Sequence, residues 1–450
     1  MVASCRSTLQ RFQRPRAHIA VPGCFPPAKA HHYYHHNRWA PELLKVARSR
    51  AAPCRVLSTV RPPSEPRAFP SQGFGVVAED KPFEEENLPD YQADHFYPAR
   101  LGQIFNDRYQ TVAKLGYGSS STLWLARDLE QHSYVALKIY IRNSLRHRET
   151  PLYARVNEVQ HSNHPGASRI RKLLSSFRID GPKGKHLVLV LQISQMSLQD
   201  MDHVFMKSGG FDEQFVKKAI RDLLQAVDYL HTEVQAVHTD IHPGNLLLGL
   251  GDNSVLKKME EAEFTNPAPR KYLPDRSIYS SRIMEPGPGP ILLSDFGETR
   301  LGPGPHTGDI MPLMYRAPEV LLRLPWSYPA DIWSVALTAW DLLEDNTLFS
   351  ARKNNRLSDG KHFAEMISTL GPPPRYILDR NLRRALEYWD EMGNWANFVP
   401  IPTQKTLESA EKKLSDKAKF VGFMRRALTW DPYQRPTAKD LLRDPWLVDE

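Results

Sequence analysis

Two short segments hold residue types that suit one another chemically. His238-Thr239-Asp240-Ile241-His242-Pro243-Gly244-Asn245 sets a carboxylate five residues before a carboxamide, and Ser294-Asp295-Phe296-Gly297 adds a second carboxylate downstream. Moving a γ-phosphoryl group onto a hydroxyl requires a carboxylate to orient that hydroxyl and accept its proton, and oxygen ligands to hold Mg²⁺ on the triphosphate. Asp240 suits the first task. Because Mg²⁺ is a hard cation that keeps part of its water, one carboxylate (Asp295) and one amide oxygen (Asn245) are a sensible pair for the second. Either string alone is weak: Asp-Phe-Gly can arise in any turn, and His-Thr-Asp has the composition of a helix N-cap. The rest of the chain has to supply a phosphate cradle, a cation and elements to position them.

Upstream, Tyr109 to Leu115, Thr122 to Ala126 and Tyr134 to Tyr140 read as strands separated by glycine and polar turns. Between the first two, Leu115-Gly116-Tyr117-Gly118 places two glycines where a main chain could approach phosphates; a serine, Ser121, stands where a third glycine would complete the fingerprint. Lys138 closes Val135-Ala136-Leu137-Lys138, a lysine among apolar strand residues, and charged groups are rarely buried without a partner. Two glutamates could pair with it, Glu149 and Glu158, with Glu149 preferred. Further on come a strand near Leu173 to Ile179, a Gly-Pro-Lys-Gly hairpin and the apolar run from Leu187. The end of that run, Leu191-Gln192-Ile193-Ser194, reads as a hinge whose backbone could bond an adenine edge. Phe215, Ala219, Leu223, Ala226, Val227 and Leu230 carry helical spacing over residues 211 to 232, a buried stripe that delivers Asp240. Leu246-Leu247-Leu248 and Ile291-Leu292-Leu293 read as paired strands, and residues 249 to 290 between them, rich in Pro and Gly, read as a surface insertion, disordered in part.

Charge is uneven. The chain of 450 residues carries +8 overall; residues 1 to 67 hold ten Arg and two Lys against Glu42 and Glu65, so the remainder sits at −2. The basicity belongs to the tail, which argues against direct nucleic-acid binding by the fold. No apolar run approaches the ~18 residues of a membrane-spanning helix. Cys5, Cys24 and Cys54 all lie in the tail, so no disulfide framework or cysteine-ligated zinc site is open to the rest and an intracellular setting is expected. Residues 1 to 80 are rich in Arg and Ser and poor in acids, like a mitochondrial transit peptide, although Pro15, Pro22, Pro26 and Pro27 interrupt the amphipathic helix that import uses; a disordered basic extension is the other reading. The run His31 to His36 could bind metal or be low-complexity chance. Residues 81 to 108 read as a linker and lead-in, 109 to 193 as one lobe and 194 to 450 as a second.

Past Asp295 the chain reaches Ala317-Pro318-Glu319 with two threonines on the way, Thr299 and Thr307. Arg435 is the expected, structural ion-pair partner of Glu319.

Together these segments resemble a eukaryotic protein kinase, matching its H-R-D-L-x-x-x-N, D-F-G, V-A-I-K and A-P-E segments. More closely they resemble the SR-protein kinase family: the lead-in Gly102 to Tyr109, Leu115-Gly116-Tyr117-Gly118 with serine at the third glycine, His238-Thr239-Asp240, and a spacer before Asp295. The resemblance implies an α+β fold of two lobes, a small β-rich one over a mainly helical one, acting as a monomer on protein substrates with Arg/Ser-rich segments. It implies ATP and Mg²⁺, with Leu115, Gly116, Tyr117, Gly118, Leu123, Ala136, Lys138, Glu149, Gln192 and Ser194 around the nucleotide, Asp240 as base, and Asn245 and Asp295 on metal. His242 stands where the family has a lysine that neutralises the transferring phosphate, which leaves a pseudokinase or nucleotide-binding scaffold as the alternative. Thr239 replaces the arginine that pairs with a phosphorylated activation loop, so activity independent of loop phosphorylation is expected. Residues 350 to 420 mix Arg352, Lys353, Arg356, Arg375, Arg380, Arg383 and Arg384 with acids, where Arg-rich substrates would want an acidic groove.

Overall fold

The computed structural model describes residues 61–142, 144, 149–159, 162–396, 399–403 and 405–448. The tail cysteines, the histidine run and residues 1–60 of the stretch read as a targeting signal lie outside them. Residues Pro63–Glu450 form one unit.

The small lobe is built on β1 (Tyr109–Gly118), β2 (Ser121–Asp128), β3 (Ser133–Tyr140), β4 (Leu173–Gly181) and β5 (Gly184–Leu191). With the edge pair Ile104–Phe105 they form an antiparallel sheet in the order edge, β1, β2, β3, β5, β4. Strand alternation gives this sheet two faces. Leu125, Ala136, Tyr140, Leu189 and Leu191 look toward the large lobe, while Trp124, Val135, Leu137, Val188 and Val190 look outward. Both faces are apolar, so both need cover.

That second cover corrects two expectations. The insertion is folded: α3 (Ser254–Thr265) and the paired strands Arg270–Tyr272 and Ser277–Tyr279 lie within it. Val76–Val77 from the supposed tail joins them as a third strand, parallel to Arg270–Lys271. Tyr279, with Tyr97, Leu101 and Phe105 from the supposed linker, closes the outer face over Trp124, 5.7 Å from Tyr279 ring to ring. Phe69 stacks on Phe264 at 4.9 Å, Arg67 lies over the same ring and pairs with Glu260 at 3.0 Å, and the backbone of Arg67 exchanges hydrogen bonds with the Gln110 side chain. Glu84 and Glu85 hold the buried Lys114, and Glu86 holds Lys271 at 2.8 Å. The insertion's content of proline and glycine suggests disorder, but none of them falls within α3, where Leu256 and Met259, buried one turn apart, show the amphipathic pattern. Its neck is pinned by Gln195, whose amide accepts from the Gly287 N–H at 2.6 Å and donates to the Gly249 carbonyl at 2.5 Å.

Helix α1 (Glu149–Glu158) completes the small lobe. The large lobe is centred on α2 (Glu213–Tyr229), capped by Asp212 and almost wholly buried along its apolar stripe, and on α4 (Pro329–Leu343), which is buried all round. Strands β6 (Leu246–Leu248) and β7 (Ile291–Leu293) pair antiparallel, with Leu246 opposite Leu293. This register matters for the site, because it brings Asn245 and Ser294 side by side across the pair. Further on, α5 (Asp359–Leu370) and the short α6 (Leu382–Ala385) form the lower part of the lobe. Among the described residues no helix is long and apolar enough to cross a membrane.

Candidate active site

The catalytic segment is held from below by one carboxylate. Asp331, at the start of α4 and without solvent exposure, accepts the backbone N–H of Thr239 at 2.8 Å on one oxygen, and the His238 N–H at 2.8 Å and the His231 ring at 2.9 Å on the other. This matters because Thr239 is a β-branched residue at φ 70, a conformation that costs on the order of 1–3 kcal/mol and persists only where its surroundings enforce it. The Thr239 hydroxyl adds a bond to the Glu298 carbonyl at 2.8 Å, fastening the loop to the segment after Asp295. His238 accepts from the Asp240 N–H on Nδ1 at 3.2 Å, so its proton lies on Nε2, directed at the Ser294 carbonyl 3.2 Å away. In the sequence the one signal of this anchor is an acid opening the otherwise apolar run from Ile332 to Leu343.

Asn245 donates its amide to the Asp240 carbonyl at 2.8 Å and lies 3.4 Å from the Asp240 carboxylate. Its amide oxygen is thereby left for another partner. Across the strand pair, both the N–H and the hydroxyl of Ser294 donate to the Asn245 carbonyl at 3.0 Å, which sets Asp295 beside it. Asp295 is at φ 61 with a side chain 52% exposed. From the small lobe, the Lys138 ammonium reaches Asp295 at 3.3 Å and is bonded to Glu149. Glu158 pairs instead with Arg155, at 2.8 Å. Glu149 also takes a hydrogen bond from the Tyr140 hydroxyl at 2.5 Å, a partner the sequence did not suggest.

Electrostatics follow from this packing. The Lys138 ammonium holds the Asp295 carboxyl far below the usual carboxylate range. Burial pulls the Lys138 ammonium down, but Asp295 and Glu149 outweigh it and leave its pKa raised. Burial pushes Glu149 up against the pull of Lys138, and it pushes Asp240 up against the pull of His242 and His238. His242 is lowered by burial, with Asp240 opposing. Its Nδ1 accepts from the Gly244 N–H at 3.1 Å, so Nε2 carries the proton and faces Asp240 at 3.9 Å.

On the nucleotide side, Leu123 stands opposite Gly116 on one strand and Lys138 on the other, and Ala136 stands opposite Leu191. Leu115 packs at the edge of the same core, and Tyr117 faces Thr122 across the hairpin tip. Gly118 lies outside the left-handed region and a Cβ there would meet nothing within 4 Å. Neither turn geometry nor packing demands glycine at this place, and the space beside the strand is open. In the hinge, Ser194 is buried and its N–H has no partner among the described residues. Gln192 is more committed than the sequence suggested: its N–H bonds the Lys172 carbonyl at 2.8 Å, and its own carbonyl accepts from Arg171 at 3.0 Å. Only that carbonyl's second lone pair remains for a base edge. The residues present fit a nucleotide with a hard cation: a half-exposed carboxylate, a free amide oxygen, an ammonium, a free hinge donor and an open glycine strand.

Comparison with known proteins bears on the family and the fold. A family model described as the protein kinase domain matches residues 109–447. A serine/threonine protein kinase of Aspergillus fumigatus is 40% identical over 394 residues, 86% of this chain and 96% of that protein. The serine/threonine-protein kinase SRPK of Physarum polycephalum is 28% identical over 397 residues, covering 81% and 92%. SRSF protein kinase 3 of Mus musculus is 24% identical over 524 residues, covering 81% and 90%. A solved kinase domain aligns with a TM-score of 0.61 at 21% identity, over 78% of this chain and 99% of its own, which speaks to the fold.

Proposed function

Since the chain belongs to the protein kinase family, as a serine/threonine kinase transferring phosphate to protein hydroxyls, we propose that Asp240 is its base and that Lys138, Asn245 and Asp295 hold Mg²⁺-ATP. The observation that carries this reading is the convergence at the ends of β6 and β7: Asn245 bonded to Asp240, and Lys138 of the small lobe 3.3 Å from Asp295. Asp240 accepts the substrate hydroxyl's proton, a role that its burial favours by making the carboxylate a stronger base. Bound Mg²⁺ supplies positive charge against the phosphate oxygens. Lys138, kept charged by its two acids, adds a second cation, and Glu149 fixes its position. Gly116 and Gly118 let the main chain come close to phosphates, Leu115, Tyr117, Leu123 and Ala136 enclose the base, and Ser194 donates to it. His242 aims an N–H at the place of transfer, a weaker substitute for a permanent cation. The relatives' names point to SR proteins as their substrates, and an Arg/Ser-rich acceptor is the first to try for this chain. We place the kinase inside the cell, in cytoplasm or nucleus, in keeping with a chain that has no cysteine after Cys54.

The test is transfer from labelled ATP with Mg²⁺ to an Arg/Ser peptide and to a generic basic protein, beside Asp240→Asn. Transfer should fall by about 10²-fold or more in the variant while nucleotide binding persists. Nucleotide binding by the parent without transfer would instead make the chain a scaffold.

A further inference from the structure

Residues 350–396 place cations on the large lobe that neighbouring acids do not neutralise. The hairpin Arg352–Lys353/Arg356–Leu357 leads into α5, whose first residue, Asp359, accepts Arg384 of α6 at 2.5 Å. Arg384 also donates to the Leu321 carbonyl at 3.0 Å, and Asn381 to the Leu322 carbonyl at 2.9 Å, so α6 is fastened between the hairpin and the helix that follows Ala317. The Asp359–Arg384 pair thus ties the start of α5, just past the hairpin, to α6, and Arg323 lies 3.9 Å from Glu387, just past α6.

The acids of this stretch are engaged. Asp359 and Glu387 serve Arg384, Asp379 serves Arg375 at 2.7 Å, Glu365 accepts the Ser350 and Ala351 N–H groups, and Asp390 accepts those of Met392 and Asn394. Glu391 is the one acid here whose side chain has no partner among the described residues. Arg356 and Arg383 are exposed and have no partner among the described residues, and Arg352 has only the Asn355 carbonyl at 3.3 Å. Leu357 adjoins Arg356 in the chain, and Leu382 and Leu386 lie within three residues of Arg383, each more than 40% exposed. Arginine interleaved with exposed apolar side chains is the composition of an interface more than of a solvated face.

From these observations we infer that the face around Arg352, Arg356 and Arg383 docks an acidic, leucine-bearing segment of the protein substrate. Charge complementarity selects this occupant. The chain's own tail, at +10 over residues 1 to 67, has the wrong sign, and so does an arginine-rich segment. The chain's own acidic run, Glu84 to Glu86, is taken by Lys114, Lys271 and Ser281. The inference takes from the kinase reading only that the occupant is a substrate; binding itself does not depend on turnover.

The test is fluorescence anisotropy on the full chain with a short labelled peptide of alternating Glu and Leu, its counterpart with phosphoserine replacing Glu, an Arg/Ser peptide and a single-stranded RNA. The acidic peptides should bind, with affinity falling as salt rises. The triple variant Arg352→Glu/Arg356→Glu/Arg383→Glu should weaken them by about tenfold or more, with the melting temperature and turnover of a generic basic protein unchanged. The stronger of the two acidic peptides identifies carboxylate or phosphate as the anion read. The inference is overturned if neither binds, if the triple variant binds as the parent does, or if RNA or the Arg/Ser peptide displaces them. Docking by a chain that transfers no phosphate would sink the kinase reading and leave the surface standing.

Discussion

Two buried ion clusters in this molecule look alike in composition and differ in what they leave unfinished. Around Arg435 the pairing is closed. Its guanidinium meets both Glu319 oxygens at 2.8 and 2.7 Å, the Pro329 carbonyl at 2.9 Å and the Thr429 carbonyl at 3.0 Å, and neither side chain is more than 1% exposed. Around Lys138 the pairing is open. One ammonium serves two carboxylates; Glu149 is sealed in, and Asp295 turns half its side chain outward beside the free oxygen of Asn245. A closed pair has nothing to offer a ligand, and breaking it strands a charge in the interior. An open cluster carries surplus negative charge at a solvent boundary, which a cation can neutralise. Burial alone therefore does not mark function; surplus at a boundary does.

The sharpest way to break this contrast is one substitution in each cluster. Asp295→Asn should lower kcat by about 10²–10³-fold and leave the melting temperature within a few degrees, because Lys138 keeps Glu149. Arg435→Met should do the reverse, costing about 3–5 kcal/mol of stability, with kcat of the folded fraction unchanged at low temperature. Calorimetry and steady-state kinetics on both variants decide it; a stability loss for Asp295→Asn as large as that for Arg435→Met would show that both clusters are structural.

A third buried carboxylate gives a smaller, pH-dependent effect. Asp341 on α4 is bonded by the Tyr315 hydroxyl and has no cation paired with it among the described residues, and burial pushes its pKa up to about 7 from 3.8. The native state therefore holds this proton to higher pH than the unfolded chain does. Its burial costs nothing below about pH 4, stability is lost as pH rises toward 7, and the loss is complete above it. Between pH 5.5 and 8 the parent should lose roughly 2 kcal/mol that Asp341→Asn does not lose, by the ~1.4 kcal/mol per unit of linkage. Parallel melting curves against pH for the two proteins would remove Asp341 from the account.

The sequence made legible those residues whose spacing is set by local chemistry. The five small-lobe strands, the β6–β7 pair and the order of Lys138, Asp240, Asn245 and Asp295 follow from alternation, turn residues and motif spacing, and the fold retains them. What stayed hidden depends on contacts between segments far apart in the chain. Asp331 anchors Thr239 from 92 residues away, and no periodicity predicts that. Phe69 and Phe264 each look like isolated aromatics until they stack. The insertion misled because its prolines and glycines dominate its composition, while α3 is stabilised in part through Arg67 and Tyr134, which lie outside the insertion.

The activation segment supplies the smallest expected effect. It is fastened by backbone and side-chain contacts: His306 and Trp326 exchange backbone hydrogen bonds at 2.9 Å, the Trp326 indole donates to the Gly308 carbonyl at 2.9 Å, His306 bonds the Gly302 carbonyl at 2.9 Å, and Arg316 donates to the Ile310 carbonyl at 3.1 Å. Thr239, where an arginine would meet a phosphate, spends its hydroxyl on Glu298. Of the two candidate threonines, Thr299 is buried and Thr307 exposed. Thr299→Ala/Thr307→Ala should keep kcat/KM within about twofold of the parent, since the buried Thr299 hydroxyl has no partner to lose among the described residues and Thr307 is a surface position, where substitutions cost within ~0.5 kcal/mol. Trp326→Ala, which removes the indole bond without touching a phosphorylatable residue, should lower kcat/KM further than the double threonine variant does. The reverse order, measured on protein expressed with and without phosphatase treatment, would mean that a phosphate and not Trp326 sets the loop.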